Sequence, residues 1–128
     1  TILTSIDKAI LNQQLRIPGD IEAQVAHMAR LSAKAGLDGV IASPHEIKAI
    51  RKKIPRKMLV VTPGVRPDWA EAGDQKRIMT PAETIVKGAS YVVIGRPITR
   101  PPPEIGTPVE AAKRIAQEIA AAWKKKGG

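Results

Sequence analysis

Two arginines and an amide follow the apolar runs of this chain at places where phosphate oxygens could be held. Thr62-Pro63-Gly64-Val65-Arg66 is followed by Gly73-Asp74-Gln75-Lys76-Arg77, and then by Ile94-Gly95-Arg96-Pro97-Ile98-Thr99. Glycines such as Gly95 let the backbone approach a ligand closely. Arg96 offers a planar fork of donors that matches phosphate oxygens, and its charge does not titrate away. Arg66 adds charge, and Gln75 a neutral amide donor. A lone Gly-Arg pair says little, since arginine is common on surfaces and glycine in turns. The long loop upstream, which carries Arg66 and Gln75, gives the pair its weight.

Other chemistries find less support. With no cysteine there is no disulfide frame, thiolate metal site or thiol nucleophile, which suits a reducing cytoplasm. His27 and His45 fall in predicted helices, and neither has a His, Asp or Glu set at metal-ligand spacing. No metal or cofactor is expected. The net charge of +9 raises the question of nucleic acid. Its concentrations are Arg51-Lys52-Lys53 with Arg56-Lys57, and Lys124-Lys125-Lys126. The first sits at a predicted helix end, where cations complement the dipole. No aromatic stacking platform accompanies the charge, so nucleic acid is not expected as a partner. No apolar run approaches the ~20 residues of a membrane span, and no signal peptide is expected. The absence of an initiator Met leaves two origins: a processed leader, or excision from something longer.

The elements that must position these residues announce themselves by their starts. Ser43-Pro44-His45-Glu46, Thr80-Pro81-Ala82-Glu83 and Thr107-Pro108-Val109-Glu110 share one logic. Each has a hydroxyl N-cap, a proline at the first helical position and a glutamate to close a capping box. Another helix is expected after Pro18-Gly19, with Asp20 as N-cap and Ile21, Val25, Met28 and Ala35 at helical spacing. Gly36 and Gly88 fit helix stops. Strands are expected at 39–42, 58–62 and 91–94, and a further one at Thr1-Ile2-Leu3-Thr4. Apolar runs of this kind suit strands buried on both faces of a parallel sheet. Two connections, Ser5 to Gly19 and Gly64 to Met79, are too long for bare turns and follow strand ends, where α/β proteins place their sites. With Trp69, Tyr91 and Trp123 the only aromatics, the core must be aliphatic. Trp123 reads as a packing or interface residue, and Arg100-Pro101-Pro102-Pro103 as a stiff connector. This alternation fits either a small open α/β sheet or half of a (β/α)8 barrel, and periodicity alone does not choose.

At this point the residues resemble a known family. Leu3-Thr4-Ser5, Ala35-Gly36-Leu37-Asp38-Gly39-Val40-Ile41-Ala42-Ser43-Pro44, Thr62 to Pro67, Gly73 to Pro81 and Gly95 to Thr99 look like the later signatures of bacterial orotidine-5'-phosphate decarboxylases. They occur in the family's order and at about its spacing, from Thr1 to about Trp123. The resemblance implies an α/β fold, a parallel (β/α)4 half barrel corresponding to strands five to eight of a TIM barrel. It implies a half-barrel domain over 1–123, with 124–128 a basic tail or cloning remnant. It implies that Arg66, Gln75, Gly95 and Arg96 bind substrate, with Gln75 and Arg96 chiefly on the 5'-phosphate of orotidine monophosphate or UMP. Thr4 matches a position touching the pyrimidine ring, and the loop from Gly64 to Met79 resembles the family's lid.

The departure from the family pattern matters as much. Its decarboxylation depends on alternating Lys and Asp residues, including an Asp-x-Lys-x-x-Asp motif, which is not found in this chain. Asp74-Gln75-Lys76 begins correctly, but the position of the second Asp is Met79. Without the ammonium nothing obvious stabilises and protonates the carbanion, and without the carboxylates the electrostatic preorganisation is missing. The expectation is a chain that grips substrate and does not decarboxylate it alone. A half barrel also leaves edge strands and inward side chains unpartnered. Association with a complementary N-terminal half or a second copy is therefore expected, through a seam near Thr1 and Tyr91. The alternative is an excised or designed structural half barrel that self-assembles with no working chemistry.

Overall fold

The computed structural model describes residues 1–70 and 78–125. Three parallel strands form one sheet in the order β1 (Gly39–Ile41), β2 (Leu59–Thr62) and β3 (Tyr91–Val92). Each lies within an expected run. Val40 pairs with Val60, Ile41 with Val61, and Val61 with Tyr91. The expected strand at Thr1–Thr4 does not form, so the sheet has three strands where four were expected. The Thr1 ammonium and hydroxyl donate to the Ile41 carbonyl at 3.0 and 2.6 Å. The chain then turns, with Ile6 N–H donating to the Leu3 carbonyl. A ladder needs successive exchanged backbone bonds, and this turn draws the segment off the β1 edge first.

The helices form largely where local capping chemistry dictates. α1 spans Ile21–Lys34 and buries Val25, Ala26 and Ala29. Gly36, at φ 80°, supplies the left-handed turn that ends it. Asp20 sits at the N-cap in extended conformation without a capping bond, and its carboxylate pairs with Lys8 instead. α2 (Ile47–Arg51) begins later than the Ser43 signal predicts. Ser43 is buried, its hydroxyl accepts from His45 N–H, and its carbonyl accepts from Glu46 N–H. That closes a turn in place of a capping box. α3 (Pro81–Lys87) has the full box between Thr80 and Glu83 and stops at Gly88, φ 113°. α4 is one turn, Arg96–Thr99, and α5 runs Pro108–Lys125. At the start of α5, Glu110 accepts from Thr107 N–H at 2.7 Å and returns its own N–H to the Thr107 hydroxyl. The bonds from the Thr107 backbone and then its side chain hold the Glu110 carboxyl below the usual carboxylate range.

The long connection from Ser5 to Gly19 is packed rather than loose. It contains a π-helical turn, Ile10–Gln14, whose Leu11 is fully buried. The Asn12 amide donates to the carbonyls of Ile17 and Gly19, tying the turn to the entry of α1.

One face of the sheet carries the core. Val40 and Val60 pack with Val25 and Ala29 of α1 and with Ile47, Ile50 and Ile54 in and after α2. Side chains alternate across a strand, so Ile41, Leu59 and Tyr91 fall on the opposite face, where they are 60%, 39% and 61% exposed. Arg51 locks the far end of the sheet. Its guanidinium donates to the carbonyls of Gly88 and Met58 and to the Ser90 hydroxyl, which in turn accepts from Val60 N–H. Partial burial lowers the pKa of Arg51.

Gly39 is required by proximity rather than by a special dihedral. A Cβ there would lie 2.8 Å from the Leu59 Cβ and 2.9 Å from the Leu59 carbonyl oxygen. Because the obstacle includes backbone of the paired strand, it does not yield to a rotamer change. Gly39→Ala is expected to lower stability by about 1–3 kcal/mol, the usual range for overpacking. Urea unfolding followed by circular dichroism checks this, and an unchanged midpoint would show that β1 and β2 separate freely.

Candidate functional site

The connection after β2 leaves and returns at one pinned point. Val65 and Met79 form an isolated parallel bridge, and Arg66 N–H donates to the Met79 carbonyl at 3.0 Å. This fixes the backbone beneath Arg66, whose side chain is buried, with 7% exposure. Pro67 is fully buried beside it, and a turn closed by Ala70 N–H on the Pro67 carbonyl brings Trp69 back over the same region. The connection after β3 is shaped as firmly. Val93 N–H donates to the Thr62 carbonyl, extending the strand pairing toward Gly95. The single turn of α4 follows, with Arg100 N–H donating to the Arg96 carbonyl at 2.8 Å.

Between these two connections lies a cleft of about 390 Å³, lined by Arg66, Trp69 and Ala70 from the first and Arg96, Arg100 and Pro102 from the second. Two of the residues singled out in the sequence, Arg66 and Arg96, thus share one cavity. Gly95 stands immediately before Arg96 at the start of α4 and is exposed, and a Cβ there would meet nothing within 4 Å. Thr4 is nearly buried in the turn after Leu3, and it is not part of the cleft lining. Gln75 lies outside the described residues.

The lining consists of guanidinium groups, an indole and apolar side chains, with no carboxylate, imidazole or hydroxyl among its described members. Such a cleft can hold an anion against permanent charges and low-dielectric walls, and none of its described lining groups is suited to move a proton or attack a bond. Among the described residues no group of three or more His, Asp or Glu is placed to hold a metal ion. No helix among them is long and apolar enough to cross a membrane.

Sequence reading missed Trp69, Arg100 and Pro102 as lining residues. Arg100 is brought near Arg96 by the turn of α4, whose last bond joins the two backbones, and α4 itself went unrecognised. Trp69 carried no local signal, because its approach depends on the turn at Pro67.

Parallel strands joined through helices, with the cleft formed by strand-to-helix connections, give an α/β fold consistent with part of a parallel α/β barrel. Residues 1–115 match the model of the Orotidine 5'-phosphate decarboxylase / HUMPS family, and the chain belongs to that family. The orotidine 5'-phosphate decarboxylase of Moorella thermoacetica is 53% identical over 119 residues, covering 93% of this chain and 46% of that protein. That of Heliobacterium modesticaldum is 49% identical over 120 residues, with 94% and 48% covered. The crystal structure of the orotidine 5'-phosphate decarboxylase from Lactobacillus acidophilus superposes with a TM-score of 0.72 at 34% identity, covering 93% of this chain and 46% of that one. The chain therefore spans about half the length of the relatives it matches.

The two arginines differ in what they do for the fold. Arg66→Ala removes a buried side chain and its packing, and is expected to cost about 1–3 kcal/mol. Arg96 is exposed, so Arg96→Ala should stay within about 0.5 kcal/mol of the parent. Parallel urea titrations compare them, and an equal loss would make Arg96 a structural residue.

Proposed function

We propose that this chain supplies the substrate grip of an orotidine 5'-phosphate decarboxylase and is catalytic only when another segment or chain provides the Lys/Asp set. In this reading Arg66 and Arg96 hold the 5'-phosphate of orotidine monophosphate or UMP. Gln75 joins them by the family resemblance, Gly95 leaves room for close backbone approach, and Thr4 meets the pyrimidine ring. The observation that carries the reading is the convergence of Arg66 and Arg96 on one cleft from two separate strand-to-helix connections, in a chain that belongs to this family. In (β/α)8 barrels such connections frequently form phosphate sites.

Loss of carbon dioxide leaves an electron pair on a ring carbon, which then takes a proton. The described cleft has guanidinium donors for the remote phosphate and no ammonium–carboxylate array for that carbon. Binding energy gathered at the phosphate is of use at the reacting centre only if that array is completed from elsewhere. The protein in this reading is cytoplasmic and needs no cofactor or metal.

Calorimetric titration with UMP tests the grip. The chain is expected to bind UMP, and Arg96→Ala to weaken that binding about ten- to hundredfold, the range for a charge-assisted contact. A folded chain that binds no UMP would favour the structural half barrel instead.

Association follows from the same reading. Ile41, Leu59 and Tyr91 present an uncovered apolar sheet face, and Tyr91 and Trp123 line one groove with Leu59 and Val86. Closure by a complementary N-terminal half, or by a second copy, would bury both. Light scattering after size exclusion is expected to give a mass above the 13.8 kDa of the single chain. A stable, well-folded monomer at micromolar concentration would overturn this.

A further inference from the structure

We propose that Arg100 is a third guanidinium of the phosphate site and sets its preference for a doubly charged phosphomonoester over a singly charged phosphate. The inference rests on the phosphate-binding role proposed for Arg66 and Arg96, and names which charge state of the ligand that site selects.

Arg100 lies at the end of the α4 turn, with its N–H on the Arg96 carbonyl. This places its backbone one turn on from Arg96, and both side chains line the cleft. Two like charges lining one cleft repel one another, and an anion bound between them offsets that repulsion. Pro101, Pro102 and Pro103 follow directly, and Ile105 N–H closes a turn on the Pro102 carbonyl. Each proline has a fixed φ, so the backbone carrying Arg100 has little freedom to lose on binding. The Arg100 side chain is exposed and has no hydrogen-bond or ion-pair partner among the described residues. A guanidinium held at the cleft wall by stiff backbone, and engaged by no other side chain there, is available to a ligand.

Arg66 and Arg96 can each take oxygens of a phosphate group. A third permanent cation adds most when the ligand carries a second negative charge, because the Coulomb term scales with the product of the charges. A phosphomonoester well above its second ionisation carries that charge, and a phosphodiester does not. Arg100 therefore distinguishes UMP from its 5'-methyl ester more than it strengthens binding of both.

The experiment titrates the chain calorimetrically with UMP and with the 5'-methyl phosphodiester of uridine, at one pH well above the second phosphate ionisation and at low salt. The parent is expected to bind UMP about tenfold more tightly than the diester, and Arg100→Gln to lose about five- to tenfold in UMP affinity but only about two- to threefold for the diester, whose charge is half as large. Arg100→Lys, which keeps the charge without the fork, should recover part of the preference. Circular dichroism checks that the exposed substitutions leave the fold intact. If Arg96→Ala abolishes UMP binding while Arg100→Gln keeps both the affinity and the preference, the role of Arg100 falls and the phosphate grip stands. If the parent binds neither ligand, both fall together.

Discussion

A parallel sheet has two apolar faces to cover, and the described residues of this chain cover one of them. Val40 and Val60 lie under α1 and α2, while their strand neighbours Ile41 and Leu59, with Tyr91 of β3, are exposed. The pleat enforces this division, because side chains one residue apart point to opposite faces. Everything else in the structure is arranged around a sheet that is finished on its helical side only. The chain spans about half the length of the relatives it matches, and the open face is what the proposed association would cover.

The helical side, by contrast, is tightly determined. Gly39 lets β1 approach the backbone of Leu59, and the Arg51 fork ties α2 to the residues around the starts of β2 and β3. These constraints sit at one end of the sheet, and the cleft is built from connections that leave the other. Rigidity at the strand starts and pinned loop bases at Val65 and Met79 give the cleft arginines a fixed platform. A site on connections held by a rigid scaffold is the usual way for a fold to combine stability with binding.

The cleft also separates two kinds of work. Permanent cations and apolar walls serve recognition, because arginine neither gives up its proton nor accepts one near neutral pH. Bond breaking at a pyrimidine needs groups that stabilise and protonate a carbanion, and the described lining has none of them. In the reading proposed above, grip and chemistry lie on different segments, and the use of one depends on the presence of the other.

Much of this was legible in the sequence wherever the determinant is local. The capping boxes at Thr80 and Thr107 formed as read, since their bonds link residues three apart. The β-branched runs became β1, β2 and β3, and Arg66 and Arg96 could be singled out by type and by the glycines near them. Ser43 carried the same letters as the two true boxes and closed a turn instead, because its burial and its bonds to His45 and Glu46 depend on packing. Thr1–Thr4 had the composition of a strand, but a ladder is a contact between distant segments and no run of residues guarantees it. Only the tertiary structure could place Arg66 and Arg96 on one cleft, add Trp69 and Arg100 to its walls, and leave one face of the sheet open. Residue types and short-range bonds are written along the chain, whereas convergence and cover are properties of how far-apart segments meet.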